Sequence, residues 1–282
     1  MGKLFIVATP IGNLKDITFR AIEVLKECPI IAAEDTRHTA ILLKAYNIEG
    51  KRLISYHKYN EKQRIELLLN YLIKENLDVA LVSNAGTPCI SDPGYEIVRA
   101  AREHNIEIIP IPGPSSLTTA LSISGLPINE FLFLGFLSRE ENKRRNCLLN
   151  IRKSKINTFV LYESPKRIFK LLSLIKEIFP NSVLCICKEL TKKFEKSYFG
   201  EITQVTEEIS RDPYKEKGEY TIIVHWKDYD VSEENISIEA LIIDEIIKNN
   251  LSWKEGIDYV VKKYNLSKKD VYKKSLELKE KL

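Results

Sequence analysis

The segment Asp78-Val79-Ala80-Leu81-Val82-Ser83-Asn84-Ala85-Gly86-Thr87-Pro88 sets an apolar run of strand length directly against a loop of small and turn-forming residues. The same pattern recurs on either side of it. Residues 4–8 run into Thr9-Pro10-Ile11-Gly12-Asn13, and residues 107–111 run into Pro112-Gly113-Pro114-Ser115-Ser116. Residues 30–33 and 53–56 are two more short apolar runs, and helical patterns fall between them near 16–26, 39–46, 61–75 and 95–104. Asp16 is the expected cap of the first of these helices. Strands alternating with helices predict a largely parallel sheet covered by helices, an α/β fold. Ligands of such sheets sit outside the carboxyl ends of the strands, which is where the three loops fall.

The pattern changes around residues 112–116. A short helix is expected over 115–124, followed by the aromatic run 131–136 and a basic helix near 140–152. Strands follow at 158–162, 183–188, 195–200 and 220–226, with helices near 165–178 and 203–211. Successive strands toward the end of this stretch predict a mixed sheet, and hence a second α/β domain. Residues 228–235 are polar and read as a linker, and everything beyond them is helical. Ser252-Trp-Lys-Glu255 opens one helix with a capping box, and Ser267-Lys-Lys-Asp270 opens another in the same manner. Two short helices joined by a tight polar turn fit a helix-turn-helix, packed around Leu241, Ile242, Ile246, Trp253, Ile257, Val260, Val261, Leu266 and Val271. The expected domains are therefore 1–112, 113–227 and a helical appendage at 236–282.

Composition narrows the classes. With 44% hydrophobic and 29% charged residues the chain has enough apolar material for a globular core. No apolar run approaches the roughly 20 residues of a membrane span. The N-terminus reads as a first strand, not a signal peptide, so the expected place is the cytoplasm. The cysteines Cys28, Cys89, Cys147, Cys185 and Cys187 and the histidines His38, His57, His104 and His225 show no metal-site spacing, and no metal is expected. A net charge of +4 tolerates a nucleic-acid partner without demanding one. The basic stretch with Lys143, Arg144, Arg145, Arg152 and Lys153, and the lysines at 262, 263, 268, 269, 273 and 274, read equally as solvated faces or as an RNA footprint.

The chain carries no Gly-x-Gly-x-x-Gly, no Gly-x4-Gly-Lys-Ser/Thr and no Gly-x-Ser-x-Gly, so the dinucleotide loop, the P-loop and the nucleophile elbow are not written here. What the three loops offer is close backbone approach at Gly12, Gly86 and Gly113, and a proline suited to the first turn of a helix at Pro114. Free N–H groups at the helix start near Ser115 can hold a carboxylate, and Pro10 and Ile90 can flank a flat base. Glu34-Asp35-Thr36-Arg37 follows the second strand at the same sheet edge. Asp35 is the first candidate for proton acceptor or orienting group, and Arg37 for a phosphate or oxyanion partner; the same residues also read as a capped, salt-bridged helix start. Glu163 with Arg167 comes second, and Glu189 third.

Five ordered motifs, Ala8-Thr-Pro-Ile-Gly-Asn-Leu-Lys-Asp-Ile-Thr18, Ala33-Glu-Asp-Thr-Arg-His38, Ala85-Gly-Thr-Pro88 with Ser91-Asp-Pro-Gly94, Ile111-Pro-Gly-Pro-Ser115 and Tyr162-Glu-Ser-Pro-Lys-Arg167, closely resemble the ribosomal RNA small subunit methyltransferase I family. That family is the 16S rRNA cytidine 2′-O-methyltransferase branch of the tetrapyrrole methylase superfamily. The resemblance runs in order from Leu4 to about Trp226, and the helical tail matches the family's C-terminal helix-turn-helix. One position departs from it: Asn84 stands where the family usually has Asp, and an amide keeps one acceptor.

The resemblance implies two α/β domains of the tetrapyrrole methylase type with S-adenosylmethionine in the cleft between them, and a homodimer. It places the cofactor against Pro10, Ala85, Gly86, Thr87, Pro88 and Ile90, with Ser115 and Ser116 at the domain junction and Tyr162 and Leu190 on the far wall. Its substrate is a cytidine in the decoding region of 16S rRNA, within the small ribosomal subunit. Two other readings remain open at this point: methylation of a tetrapyrrole precursor, and a non-catalytic regulator that binds nucleic acid through its C-terminal helices.

Overall fold

The computed structural model describes residues 1–154, 156–226, 237–264 and 266–279. The chain divides into two compact units, Met1–Trp226 and Lys227–Leu282. The expected linker at 228–235, and residues 227 and 236 at the expected domain ends, lie outside the described residues.

The first unit holds two five-stranded sheets. Strands β1 (Leu4–Val7), β2 (Ile30–Ala33), β3 (Arg52–Ser55), β4 (Val79–Val82) and β5 (Ile108–Ile111) form an all-parallel sheet in the order β3-β2-β4-β1-β5. Strands that are apolar at every position are explained by burial on both faces. On β4, Val79 and Leu81 pack toward Leu68, Leu72 and Ile97, whereas Ala80 and Val82 pack toward Leu25, Leu42 and Leu43. Those residues come from helices α1 (Phe19–Glu27), α2 (Thr36–Ala45), α3 (Glu61–Leu69) and α4 (Tyr95–Glu103), with Leu72 from the turn that follows α3.

Two details differ from the sequence reading. Helix α1 is capped by Thr18, whose hydroxyl accepts from the Ala21 N–H, because Asp16 is taken up in a preceding 3₁₀ turn, Leu14–Asp16. The helix expected over 61–75 is α-helical only to Leu69 and closes with a π turn over Asn70–Lys74.

Helix α5 (Ser116–Ile123) leads to the second sheet, built from β6 (Leu132–Phe136), β7 (Thr158–Glu163), β8 (Ser182–Lys188), β9 (Lys196–Glu201) and β10 (Tyr220–Trp226) in the order β6-β7-β10-β8-β9. Only the β6–β7 pair is parallel, so the sheet is mixed as expected. Alternation along its strands sorts two cores. Phe159, Leu161, Leu184, Ile186, Ile222 and Val224 face helices α6 (Glu141–Arg152), α7 (Ile168–Ile178) and α8 (Ile202–Arg211). Val160, Cys185, Cys187 and Ile223 face the other way, onto Ala120 and Leu121 of α5, and Ile11 from the loop after β1 joins them.

The second unit is a three-helix cluster, α9 (Ile238–Asn249), α10 (Trp253–Lys263) and α11 (Lys268–Lys279). Every core residue expected from the sequence belongs to it. Ser252 and Glu255 form the reciprocal capping box at the start of α10. A buried carboxylate, Glu245, accepts from Lys263 Nζ at 2.5 Å and from the Tyr264 hydroxyl at 2.7 Å, joining α9 to the end of α10.

The first unit also contains a buried ion pair. Lys188 and Asp212 leave 3% and 2% of their side chains exposed and meet at 2.8 Å. Burial alone raises the Asp212 carboxyl. Hydrogen bonds from Lys188, the Tyr214 N–H and the Tyr198 hydroxyl overcome that and hold it well below the usual carboxylate range. Removing one partner strands a charge away from water. Asp212→Ala is therefore expected to cost roughly 3–5 kcal/mol in urea denaturation, and Asp212→Ala with Lys188→Met to recover part of that loss.

Candidate active site

The loops after β1 and β4 are tied together by two backbone hydrogen bonds. Thr9 N–H donates to the Gly86 carbonyl at 2.9 Å and Gly86 N–H to the Thr9 carbonyl at 3.0 Å, and the Thr9 hydroxyl donates to the Ser83 carbonyl at 3.1 Å. Gly86 makes this bridge at φ +81°, a left-handed backbone that favours glycine. Of the three loop glycines, it alone borders the cavity described next. A Cβ on Gly12 would lie 2.4 Å from Lys192 Cγ and one on Gly113 would lie 3.0 Å from Ala8 Cβ, so those two serve protein packing.

Above the bridge, between the loops of the first sheet and the carboxyl end of β7 with the loops around β8 and β10, is a cavity of about 370 Å³. Its wall brings together Ala85, Gly86, Thr87, Ile90, Ser115, Ser116, Tyr162, Glu163 and Leu190 from the sequence reading. Pro10 instead lines a neighbouring cavity, and Pro88 lines neither. Ser116 Oγ donates to the Tyr162 hydroxyl at 2.9 Å, and Tyr162 is flanked by Phe133 and Phe136 at ring separations of 5.2 and 5.5 Å. Burial raises the Tyr162 phenol, so its hydroxyl stays protonated at neutral pH. Ser115 caps α5 without a side-chain hydrogen bond, and since the Leu117 N–H is turned to the Tyr162 hydroxyl, the Ser116 N–H is the one at the helix start best placed for a ligand.

Glu34, Asn84 and Asp92, all quoted above but none named there among the cofactor-binding or catalytic residues, also line this wall. The Asn84 N–H donates to Glu34 Oε2 at 3.1 Å, while Asn84 Oδ1 is buried without a partner among the described residues. Burial pushes the Asp92 carboxyl up to about 7, and the nearby Glu34 pushes in the same direction against a hydrogen bond from Ser83. Cys89 and Ser91, beside Asp92, hold left-handed backbones at φ +71° and +67°, the kind of local cost found where a loop is shaped for binding.

The candidate catalytic residues divide. Glu163 is buried and grips Arg167 through two hydrogen bonds, 2.7 Å from Nε and 2.8 Å from Nη2, and Arg167 also reaches the Leu137 carbonyl. Asp35 and Arg37 lie off the cavity. Asp35 caps α2, accepts from the Arg37 N–H at 2.9 Å and holds its guanidinium at 3.1 and 2.8 Å. The Arg37 guanidinium keeps the Asp35 carboxyl well below the usual range, and 88% of the Arg37 side chain faces solvent. Glu189 is paired with Lys192 at 2.9 Å.

The basic stretch of α6 is largely spent within the fold. Arg144 is buried, Arg145 is paired with Glu177 at 2.5 and 2.7 Å, and Arg152 donates to the Ile178 carbonyl at 2.7 Å. Lys143 is exposed and meets Glu140 at 3.0 Å. No helix among the described residues is long and apolar enough to cross a membrane.

Residues 3–206 match the family model described as Tetrapyrrole (Corrin/Porphyrin) Methylases. A protein from Buchnera aphidicola named Ribosomal RNA small subunit methyltransferase I is 41% identical over 99% of this chain and 98% of its own length. Its namesake from Escherichia coli O157:H7 is 39% identical over 98% and 95%. This chain belongs to the ribosomal RNA small subunit methyltransferase I family. Family membership agrees with the fold: a uroporphyrin-III C-methyltransferase from Thermus thermophilus, solved with S-adenyl homocysteine, superposes with a TM-score of 0.52 at 18% identity over 79% of this chain and 97% of that one.

In this methyltransferase I chain, Asp92 costs stability. Its folded-state value lies above the ordinary carboxylate value, so the folded protein loses stability as pH rises between about 4 and about 7. Asp92→Asn removes that loss. The variant is expected to melt a few degrees higher than the parent at pH 8 (about 2–4 °C for each kcal/mol recovered in a protein of this size), with the gap closing by pH 4, as read by thermal denaturation.

Proposed function

We propose that the protein is an S-adenosylmethionine-dependent methyltransferase of small-subunit ribosomal RNA, working in the cytoplasm as a homodimer, and that its product is a 2′-O-methylated cytidine in the decoding region of 16S rRNA. Similarity to relatives bearing that name over 99% of the chain, C-terminal helices included, carries this reading. The two sheets act as separate domains that meet at residues 112–113, with the cofactor between them.

The cavity fits such a cofactor chemically. The unpartnered Asn84 Oδ1 awaits a donor, the start of α5 offers an N–H to a carboxylate, and Ile11, Ile90 and Leu190 offer apolar surface to a ring. Glu34 and Asp92 supply negative charge where a cation is to be held. When bound, S-adenosylmethionine supplies a methyl group on a positively charged sulfur, which leaves as a neutral sulfide. The protein's own share is then alignment, with the Glu163–Arg167 pair bracing the wall behind Tyr162. Asp35 orients Arg37 toward solvent, where its guanidinium meets an RNA phosphate, and Lys143 and the C-terminal lysines offer further phosphate contacts on their own elements; Arg144, Arg145 and Arg152 hold α6 in place.

Two measurements test this. Transfer of labelled methyl from S-adenosylmethionine to small subunits from a strain lacking the protein, followed by nuclease mapping, is expected to place the label in a 2′-O-methylated cytidine. Label absent from RNA but present on a tetrapyrrole precursor would replace the reading. The second concerns the cofactor alone. Asp92 must ionise to face a cation, so affinity for S-adenosylmethionine is expected to tighten as pH rises from 6 through about 7. In calorimetric titration, Asp92→Asn should bind about tenfold more weakly at pH 8 and show a flat profile, the scale of one charge-assisted contact.

A further inference from the structure

A second cavity, of about 410 Å³, adjoins the first. The two share one wall, made of Ile11, Asn84, Ala85 and Glu219, and otherwise have different linings. The far side of the second is formed by the loop after β1 and by α2. Two apolar side chains stand there in contact with water, Ile41 at 66% and Leu14 at 43% exposed, and the buried Pro10 of the loop after β1 completes the lining. Polar groups are few and mixed. His38 comes from α2, and Lys192 sits opposite with its ammonium shared between Glu189 at 2.9 Å and Glu219 at 3.0 Å. Arg37, one residue before His38, extends into solvent at the start of the same helix.

We propose that this second cavity seats the acceptor nucleoside, a single nucleotide turned out of its RNA strand; the assignment rests on the methyltransferase reading given above. Methyl transfer needs the acceptor oxygen in contact with the methyl carbon, so a donor in the first cavity and a nucleoside in the second meet where the two cavities adjoin, beside Asn84 and Ala85. The volume lies within the roughly 300–1,000 Å³ usual for small-molecule sites. Flat, sparsely polar walls suit a base removed from its stack, and a few donors and acceptors suffice to read its edge. Pro10, Leu14 and Ile41 provide the walls. Lys192, His38 and Glu219 provide two kinds of donor and one acceptor, the set that a pyrimidine with an exocyclic amine requires. Arg37 at the rim lies where the strand's phosphate would pass. The exposure of Leu14 and Ile41 is thereby explained, since neither side chain contributes to a buried core cluster.

Filling the cavity tests the assignment. Ile41→Trp and, separately, Leu14→Trp place an indole in the space from exposed positions that the fold does not need. Methyl transfer to small ribosomal subunits and S-adenosylmethionine affinity are measured on the full chain, with thermal denaturation alongside. The expected result is a fall in kcat/KM of at least tenfold for both variants, with cofactor Kd within twofold of the parent and an unchanged melting profile. Transfer within twofold of the parent in both folded variants overturns the assignment and leaves the methyltransferase reading standing. A parent protein that binds S-adenosylmethionine yet labels no RNA overturns both. Should either tryptophan lower the melting temperature, photo-crosslinking of a 4-thiouridine-labelled RNA oligonucleotide to the parent decides: adducts on residues of the second cavity support it, and adducts confined to the C-terminal helices overturn it.

Discussion

The molecule's site depends on one small constraint, the paired hydrogen bonds between Thr9 and Gly86. Strands β1 and β4 are neighbours in a parallel sheet, so their loops leave the sheet side by side. Left to themselves, such loops would diverge over the surface. The bridge closes them instead and fixes where the next residues go. Ile11 then enters the apolar layer between α5 and the second sheet, and Gly12 lies against Thr191 and Lys192 so closely that no side chain fits. The Asn13 N–H, donating to Thr191 Oγ1 at 3.1 Å, finishes the contact. A loop of the first sheet thus becomes part of the core of the second half, and the two cavities are the spaces left on either side of that crossing.

Charge is handled in two opposite ways in the same unit. Asp212 is buried but fully supplied with donors, and Glu163 has its own bidentate arginine. Both are held as structure. Asp92 is different: it is partly buried, the charge that acts on it most, Glu34, is also acidic, and its carboxyl is pushed up to about 7. A fold that can place Lys188 against Asp212 could place a cation here as well. Leaving the pair uncompensated keeps stability lower and keeps a negative field in the cavity, the arrangement found where a ligand is to complete the balance. Arginines of α6 show the reverse, since a basic run in the sequence turns out to be tied to Glu177, Ser138 and Ile178.

Much of this was legible in the chain itself, and the limits have physical causes. Strands such as 79–82 and the helical core around Ile257 and Val260 are specified by local periodicity, which survives into the fold. The cavity's backbone loops were visible because Gly and Pro punctuate them. Thr18 displaced Asp16 as the cap of α1 because either residue can serve and only the path of the 3₁₀ turn decides between them. Glu34, Asn84 and Asp92 sit in conspicuous stretches of sequence, but no local pattern shows that they face one cavity. Their meaning comes from juxtaposition across 50 residues of chain, as in the bond from the Asn84 N–H to Glu34. Asp35 and Arg37 show the same limit from the other side: the motif is as conspicuous as any in the chain, yet its two charges first satisfy each other.

Asn84 is the point where these lines meet. It lies on the wall common to both cavities, between a donor site that the acidic pair Glu34 and Asp92 makes negative and an acceptor site where Lys192 is held by Glu189 and Glu219. A carboxylate at this position would be a third negative group beside two that already repel each other. It would push Asp92 further from ionisation and so weaken the field that a cation needs. An amide avoids that while keeping an acceptor oxygen at the wall. The cost is an oxygen buried without a donor, which a bound ligand's N–H or O–H would satisfy. Residue 84 therefore bears on the charge of the first cavity, and the neutral side chain found in this chain leaves Asp92 free to ionise near neutral pH.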